Sequence, residues 1–188
     1  IFKENPEFFI FKPFQTSYNK LSFGYRGSTD SLDIKISNKN IIDSSRITLE
    51  KETDTLNFWF KEFDYDTIYL DIKNKKFNEQ FKVPYPRKKL ERDSLQINSD
   101  TQNSIDLGEK FILNSNIPIS KIDDQYISIY NKDSVRIEFS TRIENGIDII
   151  FDFEIIPNDK YTINVLPNAI LDFFDNTIKF TVPIDKFF

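Results

Sequence analysis

The sequence predicts an all-β protein made of two antiparallel β-sandwiches, and three observations carry that prediction. Apolar and polar residues alternate along many short segments, helical periodicity is almost absent, and charge and proline placement divide the chain near residue 90. Period-2 patterning with one apolar face is what antiparallel sheets packed face to face require.

The alternation can be followed in order. In "SLDIKIS", Leu32, Ile34 and Ile36 share one face, and in "TLNFWF" Leu56, Phe58 and Phe60 do, leaving Trp59 on the other. "TIYLDI" aligns Ile68, Leu70 and Ile72 and turns Tyr69 away. In the second half, "YISIY" pairs Ile127 with Ile129, and "SVRIEF" reads as one strand through Val135, Ile137 and Phe139. "IDIIFDF" groups Ile147, Ile149, Phe151 and Phe153. "YTINV" and "TIKFTVPI" close the chain with Tyr161, Ile163, Val165, Ile178, Phe180, Val182 and Ile184. The segments "EKETD" (50–54), "NGID" (145–148) and "PNDK" (157–160) read as hairpin turns. The opening "IFKENPEFFIF" already reads as strand, so the chain is expected to be a portion of a longer protein.

Charge separates the halves. Residues 1–92 hold 17 Lys/Arg against 14 Asp/Glu, a net of +3, and residues 93–188 hold 8 against 16, a net of −8. Between them "VPYPRKKLER" supplies two prolines, which end a central strand and stiffen a connection, followed by a basic run that reads as a solvated linker. The expected domains are therefore residues 1–90 and 91–188.

Composition excludes much chemistry. The 188 residues include no Cys, His or Met, so Cys- or His-ligated zinc, a Cys–His nucleophile, a Ser-His-Asp triad and a disulfide are ruled out. Four scattered glycines form no phosphate-binding loop. Asp123-Asp124 stand before a strand, where successive side chains diverge, so they read as a turn and not as a catalytic pair. A Ser-Lys dyad has no supporting motif. The basic run is too short, and a pI of about 4.9 too acidic, for a nucleic-acid surface. Asp/Asn turns supply oxygen ligands of the kind calcium takes, but none has the spacing of a calcium loop. The sequence thus points to no catalytic residue, no metal and no cofactor.

Three features remain. The tripeptide Asp-(Ser/Thr)-aliphatic recurs at Asp30, Asp54, Asp66, Asp93 and Asp133. It reads as turn punctuation, with the Asp side chain accepting a local backbone N–H before a strand begins; acidic cation ligands are the alternative. Trp59 and Tyr69 are candidate contacts for a ligand or partner, forming an outward aromatic patch of the kind that binds sugars or proteins. Alternatively Trp59 lies under the N-terminal segment or a neighbouring domain. Near the end, "DFFDN" (172–176) is either an acidic ligand site or a turn the fold needs.

The second half resembles the bacterial Ig-like domain named after the S-layer protein SbsA. The matching positions are Tyr161, Thr162, Ile163, Val165, Ala169, Ile170, Asp172, Phe173, Phe174, Asp175, Asn176 and the strand from Ile178. Asp175 departs from the pattern, which has Gly there. The first half is similar to the domain preceding it in surface lipoproteins of Bacteroidota, through Phe23, Gly24, Tyr25 and Gly27 and the segment Asp54 to Lys61. The resemblance implies two tandem Ig-like domains of a secreted lipoprotein anchored in the outer membrane, at the cell surface or in the periplasm, with the lipid-anchoring Cys and a first domain upstream. Such domains act as spacers and protein-interaction surfaces of outer-membrane assemblies and not as enzymes. Proteins of the cell surface would be the partners, carbohydrate the alternative, and membrane contact would come only through the anchor. In "DFFDN", Asp172 is then expected to cap the turn, with φ > 0 at Asp175.

Overall fold

The computed structural model describes residues 8–37, 45–61, 65–86, 90–99, 110–178 and 182–187, the last six by backbone alone. Expectations placed on residues 1–7, 87–89, 100 and 179–181, Phe180 among them, lie outside the described residues. The chain divides into two compact units, Ile1–Asp93 and Ser94–Phe188.

Among the described residues the first unit has eight strands: β1 (Phe9–Ile10), β2 (Phe14–Ser17), β3 (Lys20–Arg26), β4 (Asp33–Ile36), β5 (Ser45–Glu50), β6 (Thr55–Phe60), β7 (Thr67–Lys73) and β8 (Asn78–Pro84). One sheet runs β1-β3-β6-β5, with β2 also on β3, and the other runs β4-β7-β8; every pairing is antiparallel. β1 and β2 together form one interrupted edge. Alternation decides which face is buried. Leu21, Phe23, Leu56, Phe58 and Phe60 of the first sheet meet Ile34, Ile68, Leu70, Ile72 and Val83 of the second in one core. At roughly 25 cal/mol per Å² of apolar surface, such burial is the main stabilising term in a chain without disulfides.

Among the described residues the second unit has ten: β9 (Ile97–Ser99), β10 (Phe111–Ser115), β11 (Ile119–Ile122), β12 (Ile127–Asn131), β13 (Arg136–Ile137), β14 (Phe139–Glu144), β15 (Asp148–Phe153), β16 (Lys160–Val165), β17 (Ile170–Asp172) and β18 (Val182–Phe187). The sheets are β14-β15-β10-β9 and β13-β12-β16-β18, and β11 pairs with β17 as a small ribbon. Phe111, Leu113, Ile149 and Phe151 of one sheet pack against Ile127, Ile129, Tyr161, Ile163 and Val165 of the other.

Both orders are those of the Ig fold, whose strands A, B, E and D face C, F and G. The second unit adds a C′ strand, β13, and a further mark of the fold. The Tyr161 hydroxyl, at the start of strand F, accepts the Ile156 N–H at 2.9 Å and donates to the Glu154 carbonyl at 3.5 Å. This is the tyrosine corner of Ig-like domains, pinning the crossover from E to F. The protein is thus all-β, with Ig-like antiparallel sandwiches in tandem.

Two sequence expectations are corrected here. "SVRIEF" is not one strand: β13 belongs to one sheet and β14 to the other, the chain changes sheets at Glu138, and Val135 is exposed. "PNDK" is not a hairpin, because β15 and β16 lie in different sheets and the segment carries the corner instead. Period-2 alternation reports which side chains face inward but not which sheet receives them. "NGID" does close the β14–β15 hairpin, with Asn145 at φ 51° and Gly146 at φ 77°, the positive values this tight turn demands. "EKETD" closes β5–β6 through a single 3₁₀ turn, Lys51–Thr53.

Candidate functional site

Trp59 and Tyr69 leave opposite faces of the first sandwich. Trp59 stands on the outer face of the sheet containing β6, and Tyr69 on the outer face of the sheet containing β7, so they form no common platform. Trp59 is also only 2% exposed. The Lys20 ammonium lies 4.8 Å from the centre of its ring, and its indole N–H donates to Thr48 Oγ1 at 3.0 Å. Around it the outer face is a closed polar network. Ser22 donates to Asn57 Oδ1 at 2.5 Å, Asn57 donates to Glu50 at 2.6 Å, and Ser22 shares a 2.8 Å hydrogen bond with Thr16. Ser22, Thr48 and Asn57 are all buried. An outward face is therefore not always an exposed one, which alternation alone does not reveal. Tyr69 is half-buried.

The exposed aromatics lie elsewhere. Phe9, Phe11 and Phe14 are 49%, 47% and 57% exposed along the β1–β2 edge. Phe9 and Phe11 meet edge to face at 5.3 Å, and the Arg26 guanidinium lies 5.7 Å from the Phe11 ring. Phe11 also covers Gly24, where a Cβ would stand 3.0 Å from its ring. Sequence carried a signal for this patch: with Ile10 inward, Phe9 and Phe11 must both point out. Beside it, burial and the nearby Asp54 carboxylate push the Tyr25 phenol above its ordinary value.

In the second unit an open cleft of about 590 Å³ lies between residues 120–125 and 141–143. It holds Asp123, Asp124 and Arg142, and each of them has a structural partner. Asp123 accepts the Gln125 N–H at 3.2 Å and caps a 3₁₀ turn, and Lys121 lies 3.6 Å from its carboxylate. Asp124 accepts the Thr141 hydroxyl at 2.6 Å, and Arg142 bonds Glu144 at 2.9 Å and also Asp152. The adjacent carboxyls thus serve different local bonds. Among the described residues no three acidic side chains gather as a metal site.

"DFFDN" is a turn closed upon itself. Asp172, fully buried, accepts the N–H groups of Phe174 and Asn176, both at 2.8 Å, and the Asn176 side-chain amide at 3.0 Å. Backbone bonds Asp172 N–H to Asn176 O (2.9 Å) and Asp175 N–H to Asp172 O (3.1 Å) complete it. Asp175 has φ 64°, the positive value expected there from the resemblance. Phe173 is buried, Phe174 half-buried, and the Phe173 N–H reaches the Pro118 carbonyl at 2.7 Å. With its lone pairs aimed into its own turn, Asp172 presents no open coordination position.

No protein-family model matches the sequence, and no curated protein does. Solved structures do overlap it at low similarity. Domains 5–6 of the S-layer protein SbsC share 8% identity over 97% of each chain, with a TM-score of 0.33. The tandem Ig repeats of Dlar share 11% over 98% of this chain and 97% of theirs, with a TM-score of 0.32. The Group B Streptococcus pullulanase SAP shares 14% over 94% of this chain but only 23% of its own length, with a TM-score of 0.33. Overlaps this weak carry no functional argument. The Ig-like class rests on strand order and on the tyrosine corner.

Proposed function

We propose that the chain is a non-enzymatic spacer and protein-interaction module of a bacterial lipoprotein anchored in the outer membrane, at the cell surface or in the periplasm, and belonging to a protein assembly there. One observation carries the spacer reading: the chain enters and leaves each sandwich at opposite ends. In the first unit β1 begins beside the end of β3 (Phe9 opposite Arg26), at the end where β7 finishes and β8 starts (Lys73 opposite Asn78); β8 finishes at the other end, opposite the start of β7 (Pro84 opposite Thr67). In the second, β9 begins opposite the end of β10 (Ile97 opposite Ser115), and β18 ends at the start of β16 (Phe187 opposite Lys160). A domain threaded this way adds the length of its strands to the chain's reach, about 23 Å for a seven-residue strand. A catalyst has no need of such threading, and the described carboxylates in the cleft are already held by structural bonds.

The interaction role is supported by the exposed Phe9, Phe11 and Phe14. The Bacteroidota lipoprotein identity is carried by the sequence resemblance alone. Extraction of the native full-length protein in mild detergent tests the proposal. Recovery with the membrane fraction and a co-purifying protein is expected, while a lone soluble monomer would overturn it.

A further inference from the structure

Aromatic rings and positive charge gather on one side of the first unit. Residues 8–14 ("FFIFKPF") and 72–78 ("IKNKKFN") together hold five phenylalanines, four lysines and no acid. They are far apart in sequence, and the fold joins them: Phe8 and Phe77 meet edge to face at 5.4 Å. From there Phe9, Phe11 and Phe14 continue as exposed rings along the β1–β2 edge, with the Arg26 guanidinium 5.7 Å from the Phe11 ring. Lys12, Lys73, Lys75 and Lys76 are all exposed. The tip of the β7–β8 hairpin is closed by Asn74. Its Oδ1 accepts the N–H groups of Lys76 and Phe77, both at 2.9 Å, and its own N–H donates to the Phe77 carbonyl at 2.9 Å.

The acids at this end lie on the other side of the sandwich. β1 and β8 are sheet edges that adjoin through Phe8 and Phe77, whereas β4 and β5 are the opposite edges of the two sheets. Asp30 and Asp33 stand at the entry to β4, and Glu52 and Asp54 in the β5–β6 turn. Asp33 already meets Lys35 at 2.8 Å, and Asp30 accepts the Ser28 hydroxyl at 2.6 Å. With Arg26 added, and Glu7 and Glu79 that flank the two segments, the ring-bearing side has five cations against two acids.

Such a patch suits one kind of occupant. Strand addition is blocked, because Pro13 has no N–H and interrupts the edge beside the charged Lys12. A two-fold pairing of copies would set these cations against themselves. Three half-exposed rings also offer only about 300 Å² per copy, where a stable interface needs about 800 Å². An anionic bilayer meets neither obstacle: rings enter the headgroup boundary while ammonium groups stay among the phosphates.

We propose that this side of the first unit docks on an anionic phospholipid membrane, with the Phe9, Phe11 and Phe14 rings in the headgroup layer and the hairpin lysines against its phosphates. The bilayer becomes the partner of the rings that support the interaction role, and the fold itself makes the contact, without a lipid anchor. The chain as a whole is at −5, so the attraction is local, acting within about 10 Å at 0.1 M salt. Residues 93–188, at −8, are held off by the same surface, which turns the first unit towards it.

Flotation of the 188-residue chain, which has no Cys to carry a thioether-linked lipid, with phosphatidylcholine vesicles made with and without phosphatidylglycerol tests this. Several-fold stronger binding to the anionic vesicles, weakened by salt, is expected. Combining Lys73→Glu, Lys75→Glu and Lys76→Glu should weaken it about tenfold or more. Phe9→Ser with Phe14→Ser should weaken it at low and high salt alike. Both variants should keep the wild-type thermal transition, since all five side chains are exposed. Lys121→Glu, the same charge change in the second unit, should leave binding as it was. No preference for anionic vesicles, undiminished binding in either combined variant, or an equal loss with Lys121→Glu would each overturn the proposal. Detergent extraction of the native protein reads an anchor, and vesicle binding of this chain reads the fold, so the two proposals fail separately.

Discussion

At the scale of single residues, two acids of one turn carry opposite expectations. Asp172 is buried and accepts three N–H donors of its own turn, so removing it takes away the acceptor that closes the turn. Asp172→Ala should cost about 2–3 kcal/mol, since hydrogen bonds to a charged group contribute about 1.5–3 kcal/mol. Asp175 holds φ 64°, which glycine adopts without steric cost and aspartate with some. Asp175→Gly should be neutral or stabilising by up to about 1 kcal/mol, the relief of strain being partly offset by the greater freedom of glycine when unfolded. Thermal unfolding of the two variants checks both. A clear loss on Asp175→Gly, or none on Asp172→Ala, would show that the turn is not held as described. From the residues alone the segment could be a turn or an acidic ligand site, and both roles became legible only through the resemblance, whose pattern has Gly where Asp175 stands.

Among the elements, legibility tracked how local each cause is. Strands with a single buried face, such as Ile68-Leu70-Ile72 and Tyr161-Ile163-Val165, could be read directly, because strand geometry fixes which side chains turn inward. The change of sheet at Glu138 could not, since sheet membership depends on partners distant in sequence. The burial of Trp59 was one of two readings, but its cover, which includes Lys20 from the adjacent strand, could not be read. At two of the five Asp tripeptides the expected acceptor is displaced: the Val135 N–H goes to Asn131 instead of Asp133, and the Leu32 N–H goes to the Thr29 carbonyl instead of Asp30. The E–F crossover is where an element-level test is sharpest. Tyr161 fills the core with its ring while its hydroxyl closes two backbone positions. Tyr161→Phe keeps the ring and should cost about 1–2 kcal/mol by leaving the Ile156 N–H unpaired. Denaturant unfolding of the second unit measures it, and an unchanged midpoint would mean that the corner contributes nothing.

For the whole molecule, a tandem spacer depends on how firmly each domain holds the chain that leaves it. "RKKLER" reads as a solvated linker, and residues 87–89 lie outside the described residues, but its last residues are fastened to the first unit. The Tyr18 N–H donates to the Glu91 carbonyl at 3.2 Å, the Arg92 guanidinium lies 5.2 Å from the Tyr18 ring, and Lys20 faces Asp93. Tyr18 is itself held by Tyr85, whose hydroxyl donates to the Tyr18 carbonyl, and Tyr85 is fully buried beside Phe60. The turn between β2 and β3 therefore grips the exit segment, and the basic side chain there packs on an aromatic ring as well as meeting water. Opening of such a segment is a local event with its own free energy, well below that of global unfolding. Tyr18→Ala removes the ring on which Arg92 rests but keeps the backbone bond, so the segment should open more often while the second unit unfolds as before. Limited trypsin digestion of the native chain reads this directly, because cleavage after Arg92 requires the segment to leave the surface. The variant should be cut there several-fold faster than the wild type, with the thermal transition of the second unit unmoved. Equal cleavage rates would mean that the exit segment is already free of the Tyr18 ring.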